Sequence, residues 1–178
     1  MKKFPLYFLL LLVLSCQSCQ LFDKDGDTLD PQQELAKLPP VTATGENTFG
    51  CLVNGKAFLP VQGFLGANAL DGYVNLDNNL YLTASNIELD YKLTIIIQNI
   101  EEFSGDLTKS TTNIKTGAGD RISFTANGTV TREIVSGNLE LIEEVIEQNI
   151  IAGTFNITFK KEDGSLIEIT EGRFDFKY

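Results

Sequence analysis

Histidine and tryptophan are both missing from this chain of 178 residues, and cysteine occurs only three times. Without His, the commonest general base near neutral pH is absent. Ser-His-Asp and Cys-His nucleophilic arrangements are excluded with it, as are imidazole metal sites. Without Trp, the strongest stacking platform for a sugar ring is gone, and Tyr is the remaining substitute. Basic residues are scarce. Lys and Arg number 14 against 24 Asp and Glu, a formal charge of −10. A chain this acidic has no electrostatic footprint for nucleic acid or anionic head groups, so no nucleic-acid partner is expected. Long apolar runs are missing too, with one exception. Leu6 to Leu14 is continuous, but well short of the roughly 20 residues that span a bilayer.

That run sits behind the positive start Met1-Lys2-Lys3, with Pro5 at its head, as the apolar segment of a signal peptide does. It ends in Val13-Leu14-Ser15-Cys16, which resembles the bacterial lipobox: aliphatic, variable, small, then Cys. The resemblance implies that residues 1–15 are a signal peptide and that Cys16 is the lipidated N-terminus of the mature chain. Acyl chains contribute about 0.8 kcal/mol per buried methylene, so two or three hold a protein stably. The expected partner is therefore the membrane, through the lipid on Cys16. The expected location is the cell envelope, at the outer membrane, with the face left open. Cys19 and Cys51 remain and could pair in an oxidising periplasm; the first falls in a linker and the second in a strand, so a buried inert Cys51 and an incidental Cys19 are the expectation.

Residues 16–44 read as a lipidated, flexible polar linker, rich in Asp, Gln, Thr and Pro and without a sustained apolar period. Pro39-Pro40 holds part of it extended. From residue 45 the pattern changes to period-two alternation broken by turn residues, which marks antiparallel strands. Leu80, Leu82 and Ala84 share one face. So do Tyr91, Leu93, Ile95 and Ile97, and Ile96 between them suggests a central strand covered on both sides. Ile122 and Phe124 point in, as do Phe155, Ile157 and Phe159. In the last run Phe174, Phe176 and Tyr178 oppose Arg173, Asp175 and Lys177. Asn127-Gly128 and Asp163-Gly164 are hairpin signals. Residues 138–151 fit either period and are read as a strand followed by a turn. Residues 45–178 form one all-β domain, an antiparallel β-sandwich or flattened barrel of about eight or nine strands.

Two stretches carry a wider resemblance. Asn47-Thr48-Phe49-Gly50-Cys51-Leu52-Val53-Asn54-Gly55-Lys56-Ala57-Phe58 stands near the start of the domain. Ile150 to Phe159, followed by Ile169-Thr170-Glu171-Gly172-Arg173-Phe174-Asp175, stands near its end. Together, in this order, they resemble a domain-of-unknown-function family of Bacteroidota outer-membrane lipoproteins: lipobox, polar linker, "VNGK" hairpin and terminal "GTFxxxF…ITxGxFD" meander. The resemblance covers most of residues 45–178, though 60–120 match only as generic strands. It implies an envelope lipoprotein with an all-β domain and brings no catalytic residues. The motifs themselves read as structural. Asn54-Gly55 suits a type I′ turn, and Gly153 and Gly172 suit a bulge or a close approach.

Candidate chemistry is thin. Asp23, Asp25, Asp27 and Glu34 fall at the acidic spacing of an EF-hand loop, but Thr28 replaces the required Gly and Pro31 follows. They read as a solvated tether, and no metal or cofactor is expected. These acids also resemble lipoprotein surface-export signals, and Asp27-Thr28-Leu29 resembles a bacterial O-glycosylation sequence. Glu101-Glu102 and Glu143-Glu144 are neighbours on the chain; on a strand they would point to opposite faces, not across a glycosidase cleft. Gly117-Ala118-Gly119-Asp120 is a turn rather than a phosphate loop. The expectation is a non-enzymatic envelope lipoprotein acting as a binding or scaffolding module toward an envelope protein or glycan. The alternatives are a lipocalin-like carrier of a small apolar ligand and, more remotely, a carboxylate-based hydrolase. Large inward Phe side chains favour a filled interior.

Overall fold

The computed structural model describes residues 30–63, 68–107, 121–142 and 148–178. Among them lie one short helix, α1 (Pro31–Ala36), and ten strands. The strands are β1 (Thr48–Val53), β2 (Lys56–Phe58), β3 (Leu70–Val74), β4 (Leu80–Asn86), β5 (Tyr91–Ile97), β6 (Arg121–Ala126), β7 (Thr129–Thr131), β8 (Glu133–Leu141), β9 (Ile150–Lys160) and β10 (Leu166–Lys177). They form two five-stranded sheets, β2-β1-β10-β9-β8 and β3-β4-β5-β6-β7, with every pairing antiparallel. The all-β sandwich read from the sequence is therefore the fold. The strand count is higher than eight or nine because β3 carries Asp71 and Gly72 at its centre, which hide its alternation, and β7 is three residues long.

Within the second sheet the strands follow sequence order, whereas the first sheet sets β1 beside β10. The chain makes the hairpin β1–β2, crosses to the second sheet and runs through it as a meander. It returns through a bend at Arg132, the single residue between β7 and β8. A strand that switches sheets at such a bend closes one corner of the sandwich. The turns follow their residues. Asn54 and Gly55 both have positive φ, as do Asn127 and Gly128, which is what a type I′ turn requires. The Asp163-Gly164 hairpin forms around the 161–165 loop, with Lys161 N donating to Ser165 O at 2.9 Å.

Period-two burial is clearest in β4, β5 and β9, where Leu80, Leu82, Ala84, Leu93, Ile95, Ile97, Phe155, Ile157 and Phe159 face the core. β10 changes parity along its length: Ile167 and Ile169 face in, then Phe174 and Phe176 do. The cause is a β-bulge between Ile169 and Gly172; one extra residue sends every later side chain to the other face. Glu171 sits in that bulge at φ 55. Gly172 and Gly153 meet the close approaches expected of them: a Cβ at Gly172 would lie 2.5 Å from the Phe155 ring, and one at Gly153 would lie 2.4 Å from Glu140 O.

Residues 30–44 differ from the flexible linker expected there. Asp30 caps α1 by accepting from Gln32 N, with Pro31 at the first helical position. The chain then crosses the outer face of the first sheet, from β2 toward β10, burying Leu38 on the way. Residues 30–44 are thus fastened to the sandwich rather than free of it. The linker reading of 16–29 lies outside the described residues.

Candidate functional site

The space between the sheets is occupied by rings. Phe176, Phe174, Phe155, Phe49, Phe58, Tyr91, Phe124 and Phe159 form one continuous chain, each centroid 5.2 to 6.4 Å from the next. Such offset and edge-on contacts are the preferred geometry of aromatic pairs. Leu80, Leu82, Leu93, Ile95, Ile97, Leu107 and Leu139 fill the remaining volume and are fully buried. The five Phe residues read as inward from the sequence are all buried.

Cys51 lies within this core as a free thiol. Burial pushes its pKa far above the usual thiol range, against a small opposing pull from Arg173. Cys16 and Cys19 lie outside the described residues, as do Asp23, Asp25, Asp27, Thr28, the pair Glu143-Glu144, and Gly117 to Asp120. Glu101 and Glu102 are exposed after β5, and Glu101 accepts from the Asn78 amide at 2.9 Å. Among the described residues, no three or more of His, Cys, Asp and Glu gather where they could hold a metal ion.

Of the two carboxylates with the most developed surroundings, Asp175 was not singled out by the sequence, and Glu34 was read as part of a solvated tether but is instead buried on α1. Asp175 is 1% exposed on the outer face of the first sheet. It accepts from Thr42 Oγ1 (2.8 Å), Thr44 N (2.9 Å), Gly45 N (2.7 Å) and Glu46 N (3.4 Å). Burial alone would raise its pKa. The Thr44 amide, the Thr42 hydroxyl and the Gly45 and Glu46 amides together outweigh that and hold it below the usual carboxylate range. Glu34 on α1 accepts from Ala57 N at 2.7 Å and from Lys37 Nζ. Its burial also works upward, and Lys37 with the Ala57 amide brings its pKa below the ordinary value. Ala57 pairs with Leu52 across the hairpin. In a two-residue I′ hairpin that pair is the non-hydrogen-bonded one, so the Ala57 N–H points off the sheet edge. Glu34 therefore caps the open edge of β2, where an unpaired donor would otherwise invite another strand. A signal for α1 was present in Asp30-Pro31; for Asp175 the hint was a carboxylate between two core Phe residues.

Compared with known proteins, the chain matches no family model, no curated protein and no solved structure. Its site must be read from its own geometry.

The outer surface has two characters. The first sheet is crossed by residues 30–47. The outer face of the second sheet presents Tyr73, Tyr81, Ile96 and Arg121 in one cross-strand row, with Asp71, Thr83, Thr94 and Ser123 in the next. None of these is buried. Tyr73 and Tyr81 stack face to face, centroids 4.9 Å apart. Ile96, read as covered on both sides, is half-buried beside this pair: β5 is central in its sheet, but its outer face stays partly open. At one end of the sandwich, a hollow of about 580 Å³ lies between the β6–β7 and β9–β10 hairpin tips, floored by Ile167 and Thr131. Its rim mixes Arg132, Lys160 and Lys161 with Glu133, Glu162 and Asp163. Lys160 pairs with Glu133 at 3.2 Å, and Asp163 is taken up by Ser165 N and Oγ. Among the described residues, no helix is long and apolar enough to cross a membrane.

Proposed function

We propose that this chain is a lipid-anchored envelope protein of the outer membrane whose β-sandwich acts, without catalysis, as a binding or scaffolding module through its outer surface. The observation that carries this reading is the chain of eight rings between the sheets. A drug-sized ligand needs a pocket of roughly 300–1,000 Å³ with most of its surface enclosed. Here that volume is occupied by Phe, Leu and Ile side chains, which favours the surface over the lipocalin-like carrier. Two features support the absence of catalysis. Asp175 and Glu34, the described carboxylates with depressed pKa inside the fold, spend their oxygens on backbone and side-chain donors of the same chain. A general acid needs the opposite, a raised pKa and a free oxygen. The anchor is assigned to Cys16 on its lipobox, and the partner is an envelope protein or glycan.

The test has two arms. Cys16→Ala is expected to move the protein from the membrane fraction to the soluble fraction; retention in the membrane would remove the anchor. Native mass spectrometry of the purified protein is expected to show the bare chain mass. An apolar small molecule retained at one per chain would put the carrier reading ahead.

A further inference from the structure

The segment that crosses the first sheet is held differently from the strands beneath it. Within residues 30–47 only Glu34 and Leu38 are buried. Val41 is exposed, and Leu35 on α1 is exposed as well. Hydrogen bonds to two carboxylates fasten the two ends of this segment. At the β2 end, Glu34 takes the Ala57 amide. At the β10 end, Asp175 takes the Thr42 hydroxyl and the amides of Thr44, Gly45 and Glu46. Between them, Arg173 Nη1 donates to Pro39 O at 3.3 Å. The sandwich has its own closed set of strand pairings and its own core, and neither includes these residues. Segments with few buried apolar contacts open at lower free energy than the core of the same protein.

We propose that residues 30–47 form a strap that opens and recloses as one unit while the sandwich stays folded, giving the anchored domain two reaches from the membrane. The opening follows from the fastening just described. The two reaches rest, in addition, on the lipid at Cys16. An extended chain spans at most about 3.5 Å per residue. With the strap closed, the stretch from Cys16 to Asp30 allows about 50 Å between lipid and folded body. With the strap open, the stretch from Cys16 to Thr48 allows about 110 Å. A partner bound close to the bilayer meets the closed form, and a distant one is reached by the open form. The strap then sets how far from its anchor the module works.

Hydrogen exchange on the full chain tests this at residue level. The amides of Thr44, Gly45, Glu46 and Ala57 report the strap, and those of β4 and β5 report the sandwich. The expected result is a common exchange rate for the four strap reporters, well above that of β4 and β5. Asp175→Asn is expected to speed the strap reporters a further tenfold to hundredfold, the range for a charge-assisted hydrogen bond, with β4 and β5 unchanged. Gly50→Ala attacks the same strap without touching either carboxylate, because a Cβ there would stand 2.7 Å from Pro39 Cδ. It is expected to act in the same direction. Strap reporters as protected as β4 and β5, or variants that accelerate both groups equally, would overturn the proposal. If Asp175→Asn does not fold, the unmodified chain and Gly50→Ala still decide it. Failure of the Cys16→Ala fractionation removes only the two reaches, since exchange does not depend on the lipid.

Discussion

Gly72 in β3 faces Phe176 in β10, where the edge of the second sheet meets the centre of the first. A Cβ at Gly72 would lie 2.6 Å from each of three ring atoms, Cγ, Cδ2 and Cε2. Real side chains do not approach so closely, so Gly72→Ala forces the ring to move. Phe176 is 3% exposed and touches Phe174 at 5.9 Å, so it has no empty space to enter. Overpacking of this kind costs about 1–3 kcal/mol. Phe176→Ala alone removes a buried ring and costs about 3–5 kcal/mol. In the Phe176→Ala background the obstacle is gone, and Gly72 has no positive φ to preserve. There Gly72→Ala is expected to be neutral, or to stabilise by about 0.4–1 kcal/mol by narrowing the unfolded ensemble. The two substitutions should therefore couple by about 1–4 kcal/mol, with the second relieving the first. Urea unfolding of the four proteins reads this as a shift of midpoint at constant slope. Equal cost of Gly72→Ala in both backgrounds would refute the packing argument.

Three further expectations follow from individual residues. Because Asp175 is held below the ordinary carboxylate range, its contribution to stability is complete above about pH 4. It is lost as the pH falls through that value and then through the depressed one. Urea stability should fall on acidification from pH ~5 to pH ~2, and less steeply in Asp175→Asn; identical slopes would contradict the assignment. Glu171 holds a left-handed backbone that Asn adopts more readily, and its exposed pair with Arg173 contributes little. Glu171→Asn should therefore stabilise by about 0.5–1 kcal/mol, seen as a higher thermal midpoint; a lower midpoint would mean that the pair matters more than the strain. Cys51, sealed in the core, should resist alkylation in the native protein and react fully in urea. Rapid native labelling would show that the core opens there.

Much of the sandwich was legible because its strands alternate cleanly. β6 and most of β4, β5 and β9 alternate an apolar inner face with a mostly polar outer one, and Asn-Gly pairs mark two of the turns. What escaped was non-local. The bulge at Glu171 moves the inward parity of β10 by one, and no residue-by-residue period reports such a shift. β3 and β7 were hidden by Asp71-Gly72 and by brevity. The strap was read as linker because it buries almost nothing apolar; it is held by carboxylates whose partners are far away in sequence, Thr42 and Asp175 being 133 residues apart. The lipobox resemblance at Cys16 is the reverse case, a local sequence pattern that involves no tertiary contact.

The pairing of β1 with β10 has a consequence for how the chain comes together. β10 is the middle strand of its sheet, with β1 and β2 on one side and β9 and β8 on the other. Until it arrives, the β1–β2 hairpin has no partner on its inner edge, and a lone two-stranded hairpin is marginal in water. Closure must wait for a strand more than a hundred positions downstream, and such long-range β pairing is slow, on the scale of milliseconds to seconds. With the envelope location proposed above, this delay would keep the first strands threadable during export. It also leaves the open edge of β1 as the point where two unfinished chains would join. Loss of β10 would therefore do more than trim an edge, because it would split the first sheet into two hairpins with nothing between them.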